Sequence, residues 1–518
     1  MTSYKILSKI QQVKEQRLTE LDLSAKSLTE IPTEVFELAW LETLNLSYNK
    51  LTTIPEAITR LTNLSQLNLS HNKLTKLPNF FNRLTHLSHL NLATNKLIYS
   101  QENTPRVTNL AVVKLRVKKL ELVAVPKTIT PLTNSLDLSG NLLTGIPTEV
   151  FELEWIETLN LSYNKLTTVT EAISRLTNLS QLNLSHNKLT KLPKFITGLT
   201  NLFVLNLDSN QLKYVPENIT NLTHLSVLSL GGNKLTGLPE AITHLTNLSQ
   251  LNLRSNQLTS VPEALTRLTN LSQLDLSYNQ LTTVPKTLKL LTNLSQLDLG
   301  NNQLMSVPEA LTRLTNLSQL NLRSNQLTSV PETLTRLTNL SQLNLSLNQL
   351  THLPETLNIM TNLFAINLSF NKLTSVPEAL TRLTNLAELN LTFNQITSVP
   401  DAISSMTNLA ELNLTLNQLT SVPEAITRMT YLSVLDLCGN KLKSLPDAIS
   451  RMINLSYLDL ACNQLTSVPE AISRMTNLSV LYLAQNPLED PPIEIAEQGI
   501  DAIREYFRHK QTGEDKPI

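Results

Sequence analysis

Two cysteines and eight histidines are the residues of this 518-residue chain best suited to metal binding or nucleophilic chemistry. A zinc site needs three or four Cys, His or carboxylate ligands converging on one point. The histidines, His71, His86, His89, His186, His224, His244, His352 and His509, are scattered instead. His71 and His89 fall on neighbouring segments, but neither has a Cys or a carboxylate cluster beside it. Cys438 and Cys462 also fall on neighbouring segments, close enough to oxidise, and they read as free thiols of a reducing compartment. No GxxxxGK[ST] phosphate loop occurs, so nucleotide hydrolysis has no seat here. The expectation is a protein that is not an enzyme, with no catalytic residue, no cofactor and no metal site.

The composition points to what carries these residues. Hydrophobic residues make up 41% of the chain and aromatic residues 4%, while Lys+Arg and Asp+Glu both number 42. That hydrophobic content and zero net charge argue against disorder. The balanced charge favours neither nucleic acid nor an anionic membrane as partner. No run of about 20 apolar residues is present to span a bilayer. The first ten residues lack the apolar stretch of a signal peptide, so a cytoplasmic location is expected.

The bias comes from an internal repeat. The stretch Leu61–Pro78 reads Leu-Thr-Asn-Leu-Ser-Gln-Leu-Asn-Leu-Ser-His-Asn-Lys-Leu-Thr-Lys-Leu-Pro. With the Asn of LxxLxLxxNxL as register mark, the pattern runs from Asn49 to Asn486, a span of 437 residues or 19 steps of 23. Lys26 and Lys118 keep the register without the Asn, giving 21 repeats with no insertion. Leu-x-Leu alternation, as in Leu67 and Leu69, points two side chains to one face of a strand. Strands stacked at about 4.8 Å give a parallel sheet roughly 100 Å long. The register Asn sits where the chain leaves the strand, with an amide suited to backbone groups that no strand reaches. Pro lies six residues after the register mark in 18 of 21 repeats, Gln101, Ala124 and Thr170 being the exceptions. Proline fixes φ and lacks an N–H, so this arm is expected to be 3-10 or polyproline turn, not strand. The frequent Asn-Leu-Ser and Asn-Leu-Thr tripeptides match the glycosylation acceptor pattern and read as a by-product of the repeat.

The pattern LxxLxLxxNxLxxLPxxLxxLxxL resembles the leucine-rich repeats of the short intracellular class over nearly the whole chain. That resemblance implies an α/β solenoid of about 21 units of 23 residues, a horseshoe with the parallel sheet on its concave face. The C-terminal end, with Asn486, Pro487, Leu488, Pro491, Pro492, Ile493, Gly499, Ala502, Ile503, Tyr506 and Phe507, resembles the closing segment of repeats in bacterial Roco proteins. There a Roc GTPase follows; here no phosphate loop exists, so GTPase activity is not carried over.

The organisation follows from the pattern. Residues 1–17 form an N-terminal capping helix, with Ile6, Leu7, Ile10 and Val13 at helical spacing. Repeats occupy 18–95 and 134–492. Between them, 96–133 is a degenerate seam, with the basic cluster Lys114, Arg116, Lys118 and Lys119. That cluster lacks the aromatic platform that nucleic-acid binding calls for. The segment Ile31–Leu38 recurs at Ile146–Leu153, an offset of 115 residues or five repeats, so a block was duplicated across the seam. A second capping helix spans 493–510, and 511–518 is read as a disordered tail.

With the leucines in the core, binding must fall to the residues between them. In the strand these are the sites six, four and two before each register Asn, plus the residue just before it. That last residue reads Leu347, Phe370, Phe393 and Leu416 in four successive repeats. In-register stacking aligns them into an apolar stripe roughly 15 Å long, and exposed stripes of this kind mark interfaces. Glu388 and Glu411 flank it and select a basic partner. Arg254 and Arg323 project from equivalent positions three repeats apart, suited to an acidic partner. The function expected is a scaffold or adaptor binding a protein or peptide on the concave face, in intracellular signal transduction. The alternative is a regulatory subunit acting in trans on a Roc-like small GTPase.

Overall fold

A strand that buries alternate leucines needs the neighbouring repeat to cover them, and to satisfy its backbone as well. The computed structural model of the protein describes residues 3–75, 78, 80, 83–84, 86–92, 95, 112–114 and 134–512. The chain divides into two compact halves, Met1–Asn256 and Gln257–Ile518. Among the described residues, the N-terminal half holds eleven strands, Glu20–Asp22 through Gln250–Asn252. They pair in parallel and in chain order. The C-terminal half holds ten, Gln273–Asp275 through Val480–Tyr482, paired the same way. Register advances by one repeat at each step, so Glu388, Leu389 and Asn390 face Glu411, Leu412 and Asn413. Apart from the strand Val112–Lys114, the seam lies outside the described residues, and with it most of its basic cluster.

Each strand is three residues long, shorter than the alternation alone implies. Its central Leu is buried, as is the Leu two residues on; Leu389 and Leu391 are examples. Full burial of one such side chain stabilises by about 1.5–3 kcal/mol. The turn after the strand is held by the register asparagines, nineteen of which are buried. Asn371 shows the pattern: its Nδ2 donates to the carbonyls of Leu345, Leu368 and Ser369 at 3.0, 3.0 and 3.3 Å. Its Oδ1 accepts the Leu350 N–H at 2.9 Å. One side chain thus ties its own turn to the preceding repeat.

The return arm is a 3-10 turn, as at Glu424–Arg428 after Pro423 (φ −70°, ψ 146°). Among the described residues one repeat tightens into a short α-helix instead, Glu378–Thr381. A second asparagine ladder runs down this side. Asn316 donates to the Thr292 carbonyl at 2.8 Å and Asn339 to that of Thr315 at 2.9 Å. These are the asparagines of Asn-Leu-Ser tripeptides, so the tripeptide serves the fold.

Both ends of the described chain carry helices. The first, α1 (Ser3–Glu15), buries Ile6, Ile10 and Val13 and turns Leu7 outward. At the far end, α2 (Ile493–Ala496) leads into α3 (Ile500–Thr512), which extends through residues 511 and 512 that the sequence suggested were tail. Residues 513–518 of that expected tail lie outside the described residues. Ile500, Ile503 and Phe507 are buried, and Arg504 donates to the carbonyls of Met475 and Leu478 at 2.6 and 2.9 Å. Those acceptors would otherwise face an absent next repeat, which is the task of a cap.

Asp490 fastens the second cap, accepting from Tyr506 at 2.8 Å and from Lys510 at 2.6 Å. Burial alone would raise its carboxyl pKa; the Lys510 and Tyr506 hydrogen bonds and the Lys510 charge outweigh it, so the pKa is lowered. A lowered folded-state pKa means the stabilisation is complete above the ordinary carboxylate range and fades as pH falls through the folded value. Acidifying to below about pH 4 should therefore lower the protection of the α3 amides, measured as exchange relative to the intrinsic rate at the same pH. Asp490→Asn should abolish that pH step, and an identical pH response in both proteins would overturn the assignment. Both partners are more than a third exposed, so the effect should stay below about 1 kcal/mol.

Candidate functional site

The residue just before each register Asn is a corner rather than a strand residue. The strand Gln342–Asn344 ends three residues before Leu347, which puts this position in the turn at the strand's C-terminal edge. The corners share a left-handed backbone: φ is 54° at Leu347, Phe370 and Phe393, and 53° at Leu416. Glycine is at ease there; a residue with a Cβ costs on the order of 1–2 kcal/mol. Other corners do hold Gly, at Gly232 and Gly439, or Ser, at Ser209, Ser255 and Ser324. The fold itself therefore asks for nothing bulky.

At the four successive corners the side chains remain out of the core. Phe370, Phe393 and Leu416 are 42%, 52% and 48% exposed, and Leu347 is half-buried. Phe370 and Phe393 stack with ring centroids 4.8 Å apart and planes 18° from parallel. Leu416 leans toward Gly439, where a Cβ would come within 2.6 Å of its Cδ2. The stripe thus ends against a residue that has no side chain.

Glu388 and Glu411 lie on adjacent strands, both exposed. Arg254, in the N-terminal half, and Arg323, in the C-terminal half, are each exposed two residues before a register Asn. That position is not generally open, contrary to the expectation from sequence. Ser277, Ser346 and Ser369 occupy it buried. Ser346 and Ser369 donate to Asn344 and Asn367 at 2.7 Å, turning a short polar side chain back onto its own strand. Arginine is too long for that fold-back and projects outward.

Residues missed by the sequence reading continue the open face toward the C-terminus. Asp436 and Asp459 are register neighbours. The Tyr457 hydroxyl reaches Asp459 Oδ2 at 3.5 Å, and Tyr457 meets Tyr482 edge-on at 5.9 Å. Burial raises the Asp459 pKa; the Ala461 N–H opposes this, Asp436 adds to it, and the Tyr457 hydroxyl opposes it, leaving a net rise. Tyr457 is pushed up to about 12, first by burial and then by the two aspartates. Cys438 is also pushed up to about 12, by burial first, then by Asp459 and Cys462. A thiol so held is protonated at neutral pH and a poor nucleophile. Among the described residues no group of three or more His, Cys, Asp or Glu is placed to hold a metal ion.

A stack of single-repeat strands whose buried side is a leucine ladder, with variable side chains on edge and face, defines a solenoid with a binding surface. The sequence matches agree. The leucine rich repeat model matches residues 16–74, 131–189, 170–212, 384–442 and 430–488, and a leucine-rich repeat region model matches 204–329. The chain belongs to the leucine-rich-repeat family. Among solved structures it is similar to a leucine-rich-repeat protein of Leptospira interrogans, with 28% identity, 96% of each chain covered and a TM-score of 0.56. It is also similar to the plant peptide hormone receptor RGFR1 in complex with RGF2, with 29% identity, 91% of this chain and 86% of that one covered, and a TM-score of 0.54. A third similar structure is the Arabidopsis receptor kinase HAESA in complex with the peptide hormone IDA and the co-receptor SERK1. There identity is 26%, coverage 91% and 83%, and the TM-score 0.54. No curated protein matches the sequence. Among the described residues no helix is long and apolar enough to cross a membrane.

Proposed function

We propose that the protein is a non-enzymatic interaction scaffold whose partner, a protein or peptide, docks on the stripe Leu347–Phe370–Phe393–Leu416. The observation that carries this is the exposure of large apolar side chains at corners whose backbone favours Gly. Such side chains leave apolar surface in water, and a partner covering the exposed half of each recovers about 1 kcal/mol per side chain. The peptide hormones in the two plant complexes support a peptide as occupant. We place the protein in a reducing, cytoplasmic setting and in signalling, readings supported by the two free thiols and the Roco-like C-terminal pattern. The same pattern supports the second reading, regulation in trans of a Roc-like GTPase.

The test is affinity capture from lysate of the source organism with the protein and with a variant carrying Ser at all four corners. Serine is native at three other corners, so the variant should fold, as circular dichroism can verify. A partner whose affinity falls at least about 100-fold is the expected result. A partner retained equally by both would sink the stripe. Repeating the capture with GTP and with GDP separates the two readings, since only a GTPase partner makes retention nucleotide-dependent.

A further inference from the structure

Four consecutive strands, Glu388–Asn390, Glu411–Asn413, Val434–Asp436 and Tyr457–Asp459, each carry one carboxylate on the open face: Glu388, Glu411, Asp436 and Asp459. The repeat supplies its own control for what these charges do. At the position of Glu388 and Glu411, four earlier strands of the same half hold Gln273, Gln296, Gln319 and Gln342. At the position of Asp436 and Asp459, five strands of that half hold Asn321, Asn344, Asn367, Asn390 and Asn413, while the first two hold Asp275 and Asp298 as their single carboxylate.

The fold requires of that second position only an acceptor oxygen for the N–H two residues on. Asn390 accepts from Thr392 at 3.0 Å, and Asp459 accepts from Ala461 at 2.9 Å. Carboxylate replaces amide at nearly constant shape, and the added charge is not used by the turn. Among the described residues no ion pair offsets it either. From Ala365 to Ala484, none of the positions six, four and two before a register Asn is Lys or Arg. The groups acting on Asp459 are an N–H, a hydroxyl and a second carboxylate. The C-terminal half as a whole holds 23 Asp and Glu against 17 Lys and Arg, a net of −6.

This row runs beside the apolar corners over two of its strands, Phe393 and Leu416 belonging to the repeats of Glu388 and Glu411. Between row and stripe the Thr415 hydroxyl is buried and, among the described residues, has no hydrogen-bond partner. We infer that this face seats a cationic peptide segment, its Lys or Arg side chains on Glu388, Glu411, Asp436 and Asp459 and its apolar side chains on Phe370, Phe393 and Leu416. Tyr457 and Tyr482, the latter exposed, add ring faces suited to a guanidinium or ammonium group. The inference rests on the scaffold reading and names the partner's chemistry.

The test pans a library of random twelve-residue peptides against the full chain. Recovered peptides are then measured against two variants by fluorescence anisotropy. One is Glu388→Gln, Glu411→Gln, Asp436→Asn, Asp459→Asn, each a residue native to the same position elsewhere; the other is the four-serine corner variant. The expected result is peptides rich in Lys or Arg with interspersed apolar residues. They should bind the amide variant about tenfold or more weakly, and their affinity for the unaltered protein should fall as salt rises. Neutral or acidic peptides, or equal binding to the amide variant, overturn the inference. If such peptides still lose affinity for the corner variant, the scaffold reading stands without it. Recovery of no peptide counts against both. A concentration-dependent dimer abolished by the amide variant would replace the peptide with a second copy of the chain, and would overturn the peptide assignment.

Discussion

Replacing Asn394 by Ala should destabilise the C-terminal half by about 3 kcal/mol or more, whereas Asn385→Ala, nine residues away, should cost at most about 1 kcal/mol. Both side chains donate to a carbonyl of the preceding repeat. Asn385 donates to Thr361 at 2.8 Å from an exposed position, where water replaces the lost amide. Asn394 is buried. It donates to the carbonyls of Leu368, Leu391 and Thr392 at 3.0, 3.0 and 3.4 Å and accepts the Leu373 N–H at 3.0 Å. Alanine leaves these groups without this partner in a place water does not reach, and each unmet buried group costs about 1–3 kcal/mol. Urea midpoints for the two variants, with amide exchange at Leu373, measure the difference. Equal losses would mean that the buried ladder holds no more than the exposed one.

Gly439→Val should cost about 2 kcal/mol from its backbone and weaken any stripe-dependent partner about tenfold. At φ 68° a β-branched residue is badly placed, and no described left-handed corner holds Val, Ile or Thr. Its Cβ would also meet Leu416 Cδ2 at 2.6 Å and push that side chain off its resting place. Gly439→Asn separates the two effects. Asn301 already occupies a corner at φ 53°, so the Asn variant should be nearly as stable as the parent and yet displace Leu416. Thermal unfolding reads the first effect and partner affinity the second. Loss of affinity in Val alone would assign it to backbone strain and not to the stripe.

Much of this architecture was legible in the sequence, because a 23-residue period of leucines admits few other packings. The register Asn, the Pro-initiated return arm and the four-residue stripe could all be located from spacing. The corner geometry could not. A left-handed backbone usually announces itself through Gly, and here Tyr, His, Phe and Leu occupy it, held there by the asparagine ladder. For the same reason the serines two places before the register Asn read as surface when they fold back and are buried. The asparagines of the return arm read as incidental, because their acceptors lie one repeat away. Asp436 and Asp459 were overlooked because each is a neutral-looking variant of a structural Asn. The signal lay in comparing repeats with one another, where an isosteric acid marks a charge that the turn does not use.

The in-register ladders also bear on how the chain reaches this state. The asparagine hydrogen bonds that join repeats span 21 to 26 residues, as at Leu373 to Asn394, Asn385 to Thr361 and Asn394 to Leu368. That separation is the same at the beginning of a half as at its end, so loop-closure entropy does not grow with the number of repeats. Folding within each half can start wherever two repeats first pair and zip outward one repeat at a time. The rate should then depend on the strength of a single repeat-to-repeat junction and hardly at all on total length.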